Sequence, residues 1–399
     1  MRMTSFPSIL ALTVLASVAA CAELPAEAPQ AQIGQGPDQI ATLVGRLDLE
    51  RYKATIRGLT QFGDRREGTD RNRAAVNWIE EQLLSYGCTN IGRVVYRVQP
   101  PAPAVPIAPP RTVGGGRLRG PIVQPPPNND LNAQPDPRLR ELNAQEPTED
   151  PRSEVYCTKV GTVHPDKMYI VSAHMDGRGF GEAANDDGSG TALVMELARI
   201  FSAPDVETDI SVRFMLFNSE EGGLRGSRNY VEQRRALQGR EDPAGSGLYP
   251  EPTWLGVIQH DMMLFDHGRP NPDGTINPRQ RAEADINIEF QINSQFARDS
   301  QDLAWVLNTA NEDYASEYPA SVGSHMTNTD SGPFQDFVAA VSIRENERGI
   351  HIGNGWDPQW HQPTDLYATY ADEDFRLGLN AAQTTAAAIA RLAGASIGE

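Results

Sequence analysis

Met168-Tyr169-Ile170-Val171-Ser172-Ala173-His174-Met175-Asp176 is an apolar run that ends on an imidazole and a carboxylate. A near-continuous apolar run is what a strand buried on both faces looks like. Similar runs return downstream at Val212–Phe217, Leu255–Ile258 and Ala339–Ile343. Helical periodicities separate them, at Thr191–Phe201, Leu224–Leu237 and Gln301–Tyr314, and another closes the chain at Asp374–Leu392. Buried strands alternating with amphipathic helices predict an α/β chain with a mostly parallel central sheet and helices on both faces. Ligands of such sheets bind beyond the carboxyl ends of the strands, so the chemistry is expected there.

Upstream, helical spacing starts near Gln39 with Ile40, Leu43, Val44 and Leu47, and returns at Asn72–Tyr86. The turn-rich Phe62-Gly63-Asp64-Arg65-Arg66-Glu67-Gly68-Thr69-Asp70 ends one helix and caps the next. Strands at Val94–Val98 and Glu154–Val160 flank a proline-dense stretch, about 100–151, that includes Gly114-Gly115-Gly116 and Pro125-Pro126-Pro127. It reads as an insertion, either a surface segment without a chemical role or a lid over the site.

The first twenty residues carry Arg2 and the apolar stretch Ile9–Ala16, too short for a permanent span, and read as a signal peptide. Val18-Ala19-Ala20-Cys21 resembles a bacterial lipobox, which makes Cys21 the expected lipidation site and 21–38 a flexible tether. The chain is then expected to be exported and held at a membrane only through that anchor. The alternative is an ordinary signal peptide cut after Ala20. Residues 39–399 are expected to form one catalytic domain. With Cys21 lipidated, Cys88 and Cys157 remain as an even pair in an oxidising compartment, either bridged or as buried thiols. A net charge of −18 and a pI near 4.9 argue against nucleic acid or anionic lipid as partners. Nothing in the pattern fixes an oligomeric state.

The strand ends carry the polar residues. The period of two puts His174 and Asp176 on one side of an extended chain, a ligand candidate and a carboxylate to orient it. Asn185-Asp186-Asp187-Gly188-Ser189-Gly190 precedes a helix, so its carboxylates also fit an ordinary cap. A pair of metals acting together needs a bridging carboxylate, for which Asp186 is the candidate. Glu221 can bind a metal while its neighbour Glu220 faces water, although two exposed glutamates before a helix would look the same. Alternation sends His260 away from Asp261, so only one of them should ligate.

The motifs Ala173-His174-Met175-Asp176-Gly177, Asn185-Asp186-Asp187-Gly188, Asn218-Ser219-Glu220-Glu221-Gly222-Gly223, Gln259-His260-Asp261-Met262 and Trp360-His361-Gln362-Pro363-Thr364-Asp365 occur in this order. Together they resemble the co-catalytic two-zinc metallopeptidases that include secreted bacterial leucyl aminopeptidases, glutamate carboxypeptidase and glutaminyl cyclase. The resemblance implies a zinc-peptidase-like α/β/α sandwich with two Zn²⁺ per chain, Mn²⁺ or Co²⁺ being possible substitutes. It implies that Asp186 bridges the ions, that Glu221 and His361 complete one site, and that His174 and Asp261 complete the other. Asp187 falls where the family has an unusual cis peptide. The resemblance also implies peptide substrates, a metal-bridging hydroxide, and Glu220 as general base. Aminopeptidase is the first reading, with cyclase, carboxypeptidase and a non-catalytic binding module as alternatives.

The chain departs from the family in Thr329-Asp330-Ser331-Gly332-Pro333-Phe334, where Ser331 stands at a position that is often histidine. Asp330, Arg344, His351 and Trp360 are the candidate substrate contacts. Arg344 fits either an oxyanion donor or a surface salt bridge, and His351 is the closest rival of His361. For a carboxypeptidase, Arg65, Arg66 or Arg344 could receive a terminal carboxylate.

Overall fold

The computed structural model describes residues 38–98, 126–265, 286–324, 326, 328–345 and 357–398. The signal-peptide, lipidation and tether expectations, including Cys21, lie outside the described residues, as do His351 and residues 99–125 of the insertion. Gln39–Glu399 form one compact unit.

Helices α1 (Gln39–Val44), α2 (Leu49–Thr60) and α3 (Asp70–Ser85) lead into β1 (Ile91–Tyr96). A short helix α4 (Pro137–Asn143) precedes β2 (Arg152–Lys159), β3 (His164–His174), α5 (Gly188–Phe201), β4 (Val206–Glu207) and β5 (Ile210–Phe217). Then come α6 (Arg225–Arg234), β6 (Thr253–His260), β7 (Ile286–Phe290), α7 (Ala297–Tyr314), β8 (Ala320–Gly323), β9 (Ala340–Arg344), α8 (Asp372–Ala393) and β10 (Ser396–Ile397).

One eight-stranded sheet has the order β1-β2-β5-β3-β6-β9-β7-β8. The central pairs β5-β3, β3-β6 and β6-β9 are parallel, as is β7-β8, whereas β1-β2, β2-β5 and β9-β7 are antiparallel. The expected sheet is therefore present with antiparallel borders. β7 and β8 are strands beyond those expected, although Ile286-Asn287-Ile288-Glu289-Phe290 has the alternation of one. The helical periodicity that starts near Gln39 ends at α1, and α2 begins anew because Asp48 leaves helical geometry and caps it by accepting the N–H of Arg51 at 3.0 Å.

Alternation along β3 and β5 builds both layers. Val171, Ala173, Val212, Phe214 and Leu216 join the larger core, shared with α1, α2, α3, α5, α7 and α8. Met168, Ile170, Met215 and Phe217 face the other way, under α6 and the turn at Phe334. On that side Phe217, Tyr230, Trp254 and Phe334 pack with ring centroids 5.2–6.0 Å apart. Cys88 and Cys157 are bridged, with Cα atoms 6.2 Å apart, tying the end of α3 to β2. Among the described residues no helix is long and apolar enough to cross a membrane.

The described half of the insertion is not a detached surface segment. The Asn128 N–H donates to the His361 carbonyl at 3.0 Å, and Gln134 Nε2 donates to the carbonyls of Phe180 and Pro363. It also contains the short helix α4. Asp136 caps that helix and Pro137 opens it, a position where a missing N–H costs nothing.

Candidate metal centre

The central strands run parallel, so their carboxyl ends meet at one edge. Register sets His174 of β3 opposite Phe217 of β5, which brings the following Glu220 and Glu221 alongside. Asp261 follows β6, Asp186 lies just before α5, and His361 comes from the loop ahead of α8.

These five residues form two triads that share Asp186. Ligand atoms of His174, Asp186 and Asp261 lie within 4.8 Å of one another, as do those of Asp186, Glu221 and His361. Asp186 Oδ1 stands 3.3 Å from His174 Nε2, while Oδ2 stands 3.0 Å from His361 Nε2. One carboxylate thus turns one oxygen to each group, the disposition a bridge requires. The chain carries its own test of fit. Glu221 Oε1 lies 2.9 Å from His361 Nε2, yet this buried oxygen makes no hydrogen bond, which suits it to accept a cation. Asp176, Asp186, Asp187, Glu220, Asp261 and Asp330 are all buried at this edge. That density of buried acid calls for cations. Oxygen and nitrogen donors without thiolate suit zinc, manganese or cobalt.

The groups behind the ligands fix their geometry. His174 Nδ1 sits 2.9 Å from the Asp176 carbonyl, so Nδ1 carries the proton and Nε2 keeps its lone pair for a metal. The Asp176 side chain, the partner expected from the alternation, does not do this. Its Oδ1 is 3.8 Å from Nδ1, and the carboxylate instead accepts the N–H groups of Glu220 at 3.0 Å and Glu221 at 3.3 Å. The chain has left β3 by Asp176, and its main-chain carbonyl takes the place beside the ring that an extended chain would have given the side chain. Asp187 accepts from the N–H groups of His174, Gly190 and Met262, and the Asp186–Asp187 peptide is cis.

Burial resists ionisation of Asp186, but the His174 and His361 rings beside it outweigh that and hold this carboxyl far below the usual range. Burial also opposes the charge on Asp261, and Arg344 and His174 bring it to about 2. Glu220 goes the other way. Its burial pushes the carboxyl well up and Glu221 adds to the rise, while His174 opposes it. This is the environment of a carboxylate that holds a proton readily.

Arg344 is fully buried and ion-pairs with Asp261 Oδ2, leaving Oδ1 facing His174. It is therefore neither a surface salt bridge nor a group exposed to substrate; a ligand in this interior needs its own countercharge. Asp330 is buried too, accepting from the Ser227 hydroxyl, and burial raises its carboxyl to about 6. Trp360 lies along the His361 ring with centroids 3.8 Å apart. His260 points away as alternation requires, with its ring between the Ser172 carbonyl and Thr385 Oγ1.

Three further residues brace the site. Arg65 is buried and donates to the carbonyls of Gly63, Met175, Glu182 and Ala183, so it cannot receive a substrate carboxylate. Asp365 accepts the N–H groups of Asn185 and Asp186, and the Asn185 amide donates to Glu345 and Asp357. The Pro363-Thr364-Asp365 turn was the available signal for Asp365. Nothing local marked Asn185.

An α/β/α sandwich with two histidine-carboxylate triads at its strand ends defines a metallohydrolase type of site. The chain belongs to Peptidase family M28, whose sequence model matches residues 155–385, more than half of the chain. Aminopeptidase YwaD of Bacillus subtilis is 46% identical over 69 residues, 17% of this chain and 14% of that protein. The probable lipoprotein aminopeptidase LpqL of Mycobacterium tuberculosis is 37% identical over 103 residues, 26% of this chain and 20% of that protein. These matches span a minor part of the relatives' own lengths. Among solved structures, the LapA aminopeptidase of Legionella pneumophila aligns with a TM-score of 0.59 at 16% identity, over 89% of this chain and 74% of that one. BSAP, a zinc aminopeptidase from Bacillus subtilis, gives 0.58 at 15% identity, over 87% and 95%. Porphyromonas gingivalis glutaminyl cyclase gives 0.55 at 13% identity, over 87% and 99%. At these identities the likeness is one of fold.

Proposed function

We propose that the chain is an exported zinc-dependent aminopeptidase that binds two ions through the shared Asp186. The observation that carries this reading is the pair of triads meeting at one carboxylate, with Glu220 beside them. His174 and Asp261 would hold one zinc with Asp186; Glu221 and His361 would hold the other. Bound zinc would polarise the scissile carbonyl and acidify water to a pKa of about 7. Glu220 takes the proton of the attacking water and delivers it to the leaving amine, which its raised proton affinity suits. Asp176 holds Glu220 in position through the main chain.

Export is supported by the Arg2–Cys21 pattern, by the Cys88–Cys157 bridge, and by a relative named as a lipoprotein. Palmitate labelling that survives Cys21→Ala would overturn the anchor. The catalytic reading is tested with aminoacyl and dipeptide substrates on zinc-loaded protein, with and without chelator. Chelator-sensitive release of N-terminal residues is expected, and no hydrolysis of any free-amine substrate would refute it. A glutaminyl cyclase is the second reading, favoured by the Trp360 ring on His361. Formation of pyroglutamyl peptides without hydrolysis would establish it.

A further inference from the structure

One cleft beside the metal centre has a charge pattern that the reaction itself does not use. It measures about 570 Å³ and is lined by Glu221 and Gly222, by the loop after β3, by the turn before α3, and by the insertion at Asn128 and Asn129. Its walls are fastened to the site. A side chain at Gly179 would strike the His361 main chain at 2.3 Å, so the loop carrying Arg178 rests directly on the backbone of a candidate ligand. A side chain at Gly222 would meet Glu67 Oε1 at 2.2 Å, which places the turn carrying Arg66 against the residue after Glu221.

Most charges in this cleft are committed. Asp64 pairs with Arg71 and accepts the N–H groups of Arg66 and Phe180. Glu67 pairs with Arg225 at 3.0 Å and approaches Arg152 at 3.8 Å. Glu221 belongs to the second triad. Arg66 and Arg178 are half-buried and line the cleft, and neither side chain makes a hydrogen bond or ion pair among the described residues. Glu146 is the remaining acid of the lining and is exposed. Two unspent guanidinium groups in a partly desolvated cleft are suited to a carboxylate, which accepts their paired N–H donors in one plane.

We propose that Arg66 and Arg178 bind a carboxylate of the substrate, so that the enzyme acts on short peptides that place this group in the cleft beyond Glu221. This rests on the peptidase reading above. The carboxylate comes either from the peptide C-terminus or from an acidic side chain. The insertion, through Asn128 and Asn129, then helps to line the pocket that receives this group.

The test compares kcat/KM for leucyl-glycine with leucyl-glycinamide, and for leucyl-glutamyl amide with leucyl-glutaminyl amide. Wild type and Arg66→Ala/Arg178→Ala are measured on both pairs. We expect the acid-to-neutral ratio of one pair to fall at least tenfold in the double variant, with partial recovery in Arg66→Lys/Arg178→Lys. A fall in the first pair assigns the terminal carboxylate, and a fall in the second assigns an acidic side chain. Unchanged ratios in both pairs overturn the proposal. Calorimetric binding of D-leucyl-glycine and D-leucyl-glycinamide separates this from failure of the peptidase reading. The same measurement is made with D-leucyl-glutamyl amide and D-leucyl-glutaminyl amide. A preference for the acid in either pair that the double variant loses supports the cleft even in a chain that hydrolyses nothing, and equal binding in both pairs refutes it.

Discussion

Asp176 and Glu220 are joined through the main chain: Asp176 Oδ1 accepts the N–H of Glu220 at 3.0 Å while Oδ2 accepts that of Glu221 at 3.3 Å. A single buried carboxylate on the β3 loop therefore sets both the proposed base and a proposed ligand on the neighbouring β5 loop. Asp176→Asn turns an amide donor toward one of these N–H groups. We expect kcat to fall about 10- to 100-fold, the usual cost of losing a group behind a ligand. Atomic emission should find the metal content largely kept. A variant with unchanged kcat would show that the β5 loop holds itself.

Sharing of Asp186 between the triads makes metal stoichiometry a sharp test. Asp186→Ala strips one ligand from each group, whereas His361→Ala strips one from a single group. Equilibrium dialysis against zinc should leave the first variant without tightly held metal and the second with one ion. Chelation of the wild type should lower Tm, since a ligand at 100 times its Kd stabilises the native state by about 2.7 kcal/mol. Equal stoichiometry in the two variants would exclude a bridge.

Much of this site was legible because strand ends are local features. His174, Glu220, Glu221 and Asp261 each close a run whose burial is written in its own apolar residues. His361 was readable only from its Trp-His-Gln-Pro setting. The partners that discharge or brace the ligands were not legible, because register between distant segments brings them in. Arg344 looked like a surface cation, yet β9 carries it beside Asp261, 83 residues away in sequence. β7 is a different case: Ile286-Asn287-Ile288-Glu289-Phe290 alternates as a half-buried strand does and was legible as one, but the alternation does not show that all five positions are buried.

Beneath the opposite face, Arg213 and Glu251 form an ion pair with side-chain exposures of 2% and 0%. Tyr230 and Trp254 both donate to the same glutamate, so the pair anchors the aromatic cluster of that layer. Glu251→Ala leaves a buried guanidinium without its countercharge. Breaking such a pair costs about 3–5 kcal/mol. Urea denaturation of the zinc-loaded protein should show a loss of that size. A loss below about 1 kcal/mol would match an exposed pair and contradict this packing.

Glu154 carries a pH dependence whose sign is fixed by its surroundings. It is completely buried in β2, and burial pushes its carboxyl well above 4.5, with the negative charge of Asp330 adding to the rise. The folded chain thus keeps a proton that the unfolded chain releases above about pH 4.5. The native state then binds more protons than the unfolded one, so this residue lowers stability as pH rises through that window. Glu154→Gln keeps the shape and removes the titration. Its Tm should match the wild type near pH 4 and exceed it increasingly from pH 5 to 8, measured by calorimetry in matched buffers. A difference that is constant with pH would mean that Glu154 is already ionised in the fold.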